Sequence, residues 1–183
     1  MEVRGSILKG IVDFVKIKHS SNYAKWESRL PSETKVLMAS SSVSSWCSIQ
    51  DGMIQPSLVV CELIFSDEKI GAWEMGRFAA EQGLTGIYKV FAMIATPTYI
   101  LKKAPRIMST FYRPSELKVV ESSNRSVKIR CTKLPVNNSL LEFRIAGWIE
   151  RAAEICNCKN VKVEILSALS KGEETFDLHV SWN

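Results

Sequence analysis

The feature that most constrains the fold is a change of hydrophobic period near the middle of the chain. Between positions 6 and 111, apolar residues recur every three or four positions, as on one face of a helix. From position 117 onward, four short segments instead alternate apolar and polar residues, as in strands with one wet face. This order predicts an α+β fold with a helical half followed by a sheet half.

The helical half begins with a stripe of apolar residues. This stripe predicts a first helix with Ser6 as its N-cap. The residues on its apolar face are Ile7, Leu8, Ile11, Val12 and Val15. Further helical segments are predicted at 23–30, 32–39, 56–65, 67–82, 84–95 and 98–111. Asp67 is the expected cap of the fourth of these segments and Gly83 its stop, whereas Pro105 should kink or shorten the last.

Between the short helical segments and Pro56, a serine-rich stretch at 40–45 is expected to be a loop. Trp46 follows this loop and is expected to anchor it to the core. Pro56 suits the first turn of a helix, because its missing N–H would have no partner there.

The sheet half reads as two hairpins around one helix. The hairpins are predicted at 117–131 and 161–182, and the helix runs from about Ser139 to Cys156. The buried stripe of this helix is predicted to be Leu141, Ile145, Trp148, Ile149 and Ala152, and its wet side Glu142, Glu150 and Glu154. The result is a ββ-α-ββ order and a four-stranded antiparallel sheet covered on one face. We expect a single domain over 1–183, with a helical part at 1–112 and a ββ-α-ββ part at 113–183.

Several protein classes are excluded by simple features of the sequence. No apolar run approaches the ~20 residues of a membrane span, and no signal peptide is expected from the first residues. Five cysteines are an odd number for a disulfide framework, and Cys61 and Cys131 lie in apolar patterns. Cys156 and Cys158 are interpreted as a helix end and not as a metal site. These features predict a cytoplasmic protein without a bound metal.

The net charge of +5 is concentrated in one segment. Residues 99–133 carry nine basic and two acidic side chains. This excess could attract an acidic partner, but a solvated face is the simpler interpretation. Because few aromatic residues interleave with the basic ones, and no nucleic-acid-binding motif is present, no nucleic acid is expected as a partner.

Residues for a catalytic site are not apparent. His19 and His179 are both expected on the surface, and no phosphate-binding glycine loop is present. Glu164 and Asp177 are interpreted as cross-strand partners of basic residues, which are Lys162, Lys128 and Arg130. The sequence therefore predicts a protein that is not an enzyme.

Short motifs in both halves resemble a known superfamily. They are Gly-Ser-Ile-Leu-Lys-Gly-Ile-Val at 5–12, Trp-Glu-Met-Gly-Arg-Phe-Ala-Ala at 73–80, Tyr-Arg-Pro at 112–114, Ala-Gly-Trp-Ile-Glu at 146–150 and Leu-His-Val-Ser-Trp at 178–182. In this order they resemble the superfamily of haem-NO-binding (H-NOX) domains, 4-vinyl-reductase domains and TRAPP transport subunits. The likeness is greatest to a haem-less bacterial branch found in myxobacteria.

The resemblance implies a haem only where its ligands are present. H-NOX domains bind haem through a histidine on the helix before the first hairpin, but this chain has no histidine at 98–104. Tyr99 could in principle replace it, although a packing or rim tyrosine is the simpler interpretation. The Tyr-x-Ser-x-Arg motif that binds the haem propionates is also missing from the matching strand, 127–133. No haem or other cofactor is therefore expected.

By this resemblance, the chain is expected to be a non-enzymatic sensor that holds a small apolar ligand, or none, between its two halves. Tyr99, Lys102 and Tyr112 are the predicted polar rim of that ligand site, although they could also be ordinary surface and packing residues. The alternative is a protein-binding or homodimerising scaffold like the TRAPP subunits.

Overall fold

The computed structural model describes residues 1–84 and 104–183. Within this part of the chain, helices fill the first half and strands dominate the second, as predicted. The predicted helix at 84–95 and the first turns of the helix at 98–111 lie outside the described residues. Among the described helices, none combines the length and the apolar character that a membrane crossing requires.

The helices of the first half lie close to their predicted positions. They are α1 (Gly5–Lys18), α2 (Tyr23–Arg29), α3 (Ser32–Ser40), α4 (Gln55–Val60), α5 (Glu68–Gly83) and α6 (Ala104–Phe111). A π-helical turn flanks α4 on each side, at Gln50–Ile54 and Cys61–Phe65. Pro56 lies in the first turn of α4, as expected.

The helix ends show which predicted caps are correct. Asp67 caps α5, and its carboxylate accepts a hydrogen bond from the Ile70 N–H at 3.0 Å. The predicted cap Ser6 is wrong, because α1 begins one residue earlier, at Gly5, directly after a strand. Gly83 is the last residue of α5, at the expected stop of the helix, and Leu84 follows it as the C-cap.

A three-stranded sheet at the N-terminus was not expected from the sequence. It contains β1 (Glu2–Arg4), β2 (Trp46–Ser48) and β3 (Tyr112–Arg113), in the order β2-β1-β3. Strands of two or three residues are too short to show an alternating pattern. Trp46 is half-buried, and the guanidinium carbons of Arg4 and Arg113 lie over its ring, 4.5 and 4.1 Å from the ring centre. It therefore holds the serine-rich loop to this small sheet.

The second sheet confirms the predicted pair of hairpins. Its strands are β4 (Glu116–Ser122), β5 (Ser126–Lys133), β6 (Lys162–Ser167) and β7 (Phe176–Ser181). They are antiparallel in the order β4-β5-β7-β6, so the two hairpins join along β5 and β7. Val127 faces Val180 and Ile129 faces Leu178 across this junction, and all four are buried.

The helix between the hairpins, α7 (Ser139–Ile155), connects the two halves. Asn138 caps it by accepting from the Leu140 N–H at 3.0 Å. One side of α7 packs on α5, and another contacts β6 and β7. The helix is therefore covered on two sides and has only a narrow wet face.

The double cover of α7 explains one wrong prediction. Glu142 was expected on the wet side but is only 1% exposed. Its carboxylate accepts hydrogen bonds from the backbone N–H of Ser170, at 3.1 Å, and from the Ser170 hydroxyl. Glu150 and Glu154, predicted on the same side, are half-buried and pair with Arg77 of α5.

Candidate functional site

The predicted ligand-site residues fall into two groups. Tyr99 and Lys102 lie outside the described residues. Tyr112 lies in β3, opposite Val3 of β1, and is 7% exposed. Its side chain is therefore inside the protein, at the point where the chain leaves the helical half.

The Tyr112 hydroxyl lies beside the guanidinium group of Arg144. Burial raises the pKa of this hydroxyl, and the neighbouring positive charge and hydrogen bond of Arg144 oppose part of that rise. The phenol is therefore protonated at neutral pH and can donate a hydrogen bond.

Arg144 projects from α7 and is only 4% exposed. Its Nη2 atom lies near Gly10 of α1, where an added Cβ would be 4.0 Å away. Its Nη1 atom is buried without a hydrogen-bond partner. Tyr112, Arg144 and Gly10 thus bring together β3, α7 and α1, three elements that are far apart in the sequence.

The sequence analysis did not identify Arg144 as a site residue. A signal was present, however, because Glu142 and Arg144 are the only charged residues between 139 and 149. A helical stretch that is apolar on nearly all sides is typical of a buried position, so the pattern at 139–149 favours burial of both charges. The sequence could not show which groups would lie beside them.

A second candidate site is a cleft of about 780 Å³ between α1, α2 and α3. Its volume lies in the range of small-molecule pockets, but it is open to solvent along one side. Its lining combines apolar residues with lysines, which include Leu8, Val12, Leu37, Met38, Lys9, Lys16 and Lys35. Partial burial and a 2.7 Å hydrogen bond to Glu27 raise the pKa of Tyr23, at the same cleft, to about 12. A ligand here would remain partly exposed to water.

The cysteines do not resemble activated nucleophiles. All five are buried and free, and burial raises the pKa of Cys61 and Cys158 to about 12 and that of Cys131 and Cys156 to about 11. The thiol and not the thiolate is then present at neutral pH. Within residues 1–84 and 104–183, no three histidine, cysteine or acidic side chains are grouped to hold a metal ion.

Neither of the two histidines lies in the segment that is expected to carry the axial ligand of a haem. The sequence has no histidine at 85–111, the segment before the first hairpin. His19, expected on the surface, is half-buried at the end of α1 and packs edge-on against Phe14, with 5.1 Å between ring centres. The Nδ1 atom of His179 lies 3.8 Å from Glu164, on the polar face of the sheet.

The strand that corresponds to the propionate-binding strand of H-NOX domains also carries different side chains here. The matching strand is β5, and its buried-face residues are Val127, Ile129 and Cys131. Arg130 of this strand pairs with Asp177 of β7, with 2.9 Å between Nε and Oδ1. The side chains at these positions therefore do not fit a haem held by a histidine and clamped by the Tyr-x-Ser-x-Arg motif.

The overall geometry nevertheless matches solved H-NOX structures over the whole chain. An H-NOX protein from S. oneidensis in the Fe(II)NO ligation state superposes with a TM-score of 0.74, at 14% identity, and the match covers 98% of this chain and 99% of that one. The Fe(II) unliganded H-NOX protein from K. algicida gives 0.72 at 10% identity, over 98% and 96% of the two chains. A mutant of the T. tengcongensis H-NOX gives 0.69 at 9% identity, over 98% and 97%.

Comparison of the amino-acid sequence with known proteins finds no relative of this chain. No protein-family model matches the chain, and no curated protein matches it. At 9–14% identity the likeness establishes the architecture alone. The chain therefore has an H-NOX-like α+β fold.

Proposed function

We propose that this protein is a haem-free, non-enzymatic sensor domain of the cytoplasm that holds a small molecule between its helical and sheet halves. Tyr99, Lys102 and Tyr112 are proposed to line the ligand site, and Arg144 joins them because its guanidinium lies beside the Tyr112 hydroxyl. The observation that carries the proposal is this buried polar pair at the junction of the two halves. Ligand sites are mostly apolar with a few convergent polar groups, which is the composition of this junction.

The fold gives independent support for ligand binding. A solved H-NOX protein with this architecture is described in an Fe(II)NO ligation state and another in an Fe(II)CO ligation state. The absence of a histidine at 85–111 supports a ligand other than haem.

Absorption spectroscopy and native mass spectrometry of the purified protein test the proposal. The protein is expressed with a haem precursor in the medium, and a haem-binding H-NOX protein prepared in the same way is the positive control. We expect no Soret band from this chain and a retained small molecule in its native mass spectrum. A stoichiometric Soret band would contradict the haem-free assignment.

The same mass spectrum separates the proposed sensor from an interaction scaffold. A homodimer without any retained molecule would favour the scaffold. If Tyr99 lines the ligand site, Tyr99→Phe should leave any dimer intact, whereas loss of the dimer in this variant would argue against that role.

A further inference from the structure

Arg144 is the one arginine of the described residues that is buried, and no acidic side chain among them pairs with it. Arg77 pairs with Glu150 and Glu154, and Arg151 pairs with Glu154 at 2.7 Å. None of the ion pairs between described side chains includes Arg144.

The segment outside the described residues cannot supply the missing charge. Positions 85–103 contain no aspartate and no glutamate. Arg144 is 4% exposed, and its Nη1 atom has no hydrogen-bond partner among the described residues. A buried charge without a counter-charge is strongly unfavourable, because the protein interior solvates ions poorly. A bound anion would supply the counter-charge that neither the described acidic side chains nor positions 85–103 provide.

The groups around Arg144 define the chemistry of that molecule. The Tyr112 hydroxyl beside the guanidinium supplies a second hydrogen-bond donor. Gly10 has no side chain to cover the Nη2 side. The buried apolar residues Ile7 and Phe14 lie one helical turn before and after Gly10 on the same face of α1. A cation and a hydroxyl beside an apolar surface suit a carboxylate that carries an apolar body.

The amount of charge favours a carboxylate over a phosphate. One guanidinium is neutralised by one negative charge, and its planar fork matches the two oxygens of a carboxylate. A phosphate dianion would leave one negative charge buried without a partner.

We infer that Arg144 binds the carboxylate of an apolar monocarboxylic acid, with Tyr112 as a second donor to the same group. This inference rests on the proposed ligand-binding function and names the class of its ligand.

Octanoate and its neutral analogue octanamide are the probes that test this inference. Their binding to the full chain at pH 7 is measured by isothermal titration calorimetry and by the shift of the thermal midpoint. We expect octanoate to bind and to raise the midpoint, and octanamide to bind at least about tenfold more weakly. Sodium phosphate at the same concentration should not raise the midpoint.

Arg144→Met should weaken octanoate binding by at least about tenfold and leave octanamide binding unchanged. The matched control is Arg125→Met, because Arg125 is exposed in the turn between β4 and β5. This control should bind octanoate like the wild type. Without ligand, Arg144→Met should unfold at the same or a higher temperature, since it removes an unpaired buried charge.

Gly10→Leu provides a second test that keeps Arg144. Its side chain would fill the space beside Nη2, so octanoate binding should fall while the fold, monitored by circular dichroism, is retained. If Arg144→Met does not fold, octanoate binding by Gly10→Leu tests whether the acid binds beside Arg144.

Equal affinity for octanoate and octanamide, or unchanged octanoate binding by both variants, would overturn the role of Arg144 without affecting the proposed sensor function. Stabilisation by phosphate in place of octanoate, or no binding of octanoate at all, would also overturn it. The proposed sensor function is judged separately, by the molecule retained in the native mass spectrum.

Discussion

At the scale of single residues, buried charged groups of the sheet half have different environments, as Asp177 and Arg144 show. Asp177 is 4% exposed and accepts hydrogen bonds of 2.9, 3.2 and 2.6 Å from Arg130 on the neighbouring strand. Arg144 is equally buried but has no such partner in the described part of the chain. Removing one partner of a buried ion pair is strongly destabilising, because the other charge then stays buried without compensation.

Asp177→Asn should reduce stability in a pH-dependent way. The hydrogen bonds from Arg130 lower the pKa of Asp177 below its usual 3.8, although burial opposes the effect. A carboxyl with a lowered pKa stabilises the folded state above its unfolded pKa, and this contribution is lost as pH falls through the lowered value. Urea unfolding should therefore show the variant to be less stable by about 1–3 kcal/mol at pH 7, with the difference shrinking as pH falls below 3.8.

Glu164→Gln is the control for this prediction, because its side chain is 65% exposed on the same sheet. It should change the free energy of unfolding by less than about 0.5 kcal/mol at either pH. A pH-independent loss in Asp177→Asn would mean that the side chain acts through packing and not through its charge.

At the scale of elements, α5 and α7 approach so closely that only glycine fits at their contact. A Cβ added to Gly76 would lie 2.1 Å from the carbonyl oxygen of Arg144, and one added to Gly147 would lie 2.2 Å from that of Trp73. Beside this contact, Trp73 donates a 2.8 Å hydrogen bond to Glu150. The backbone position of Arg144, and so of the candidate ligand site, is fixed by this helix pair.

Gly76→Ala should therefore destabilise the protein by at least about 2 kcal/mol, because the two helices must move apart. Gly83→Ala, at the end of the same helix, is the matched control, since an added Cβ there meets no described atom within 4 Å. This control should be neutral or more stable by up to about 1 kcal/mol, as alanine favours helix over glycine. Chemical denaturation measures both, and a tolerated Gly76→Ala would show that the helix pair can adjust.

At the scale of the whole molecule, α7 unites the two halves because it packs on α5 and on strands of the four-stranded sheet. The reactivity of the five cysteines can be used to follow the unfolding of both halves. Cys47 and Cys61 lie in the first half and Cys131, Cys156 and Cys158 in the second, and all are buried.

If the chain is a single domain, as predicted, all five thiols should become reactive in one unfolding transition. In the native protein at neutral pH they should resist iodoacetamide, because burial raises the pKa of each thiol. Alkylation at increasing urea concentrations, with mass spectrometry of the peptides, locates each reaction. Alkylation of Cys47 and Cys61 at lower urea than Cys131 would show that the halves unfold separately.

The sequence by itself determined most of the described helices and the four-stranded sheet. The period of the apolar residues placed α1 and both hairpins, and Asp67 marked the start of α5, because these signals depend on residues close together in the chain. Asp177 pairs with Arg130, one of the three basic residues expected as partners of Glu164 and Asp177, whereas Glu164 lies beside His179.

Only the tertiary structure decided which polar groups are buried and what they meet. Glu142 was assigned to the wet side because the periodicity of a helix shows one covered face, and α7 has two. The meeting of Tyr112 with Arg144 joins positions far apart in the chain, and the two-residue strand that carries Tyr112 exists only through its pairing with β1. Contacts of this kind depend on how the elements pack, which local sequence patterns do not encode.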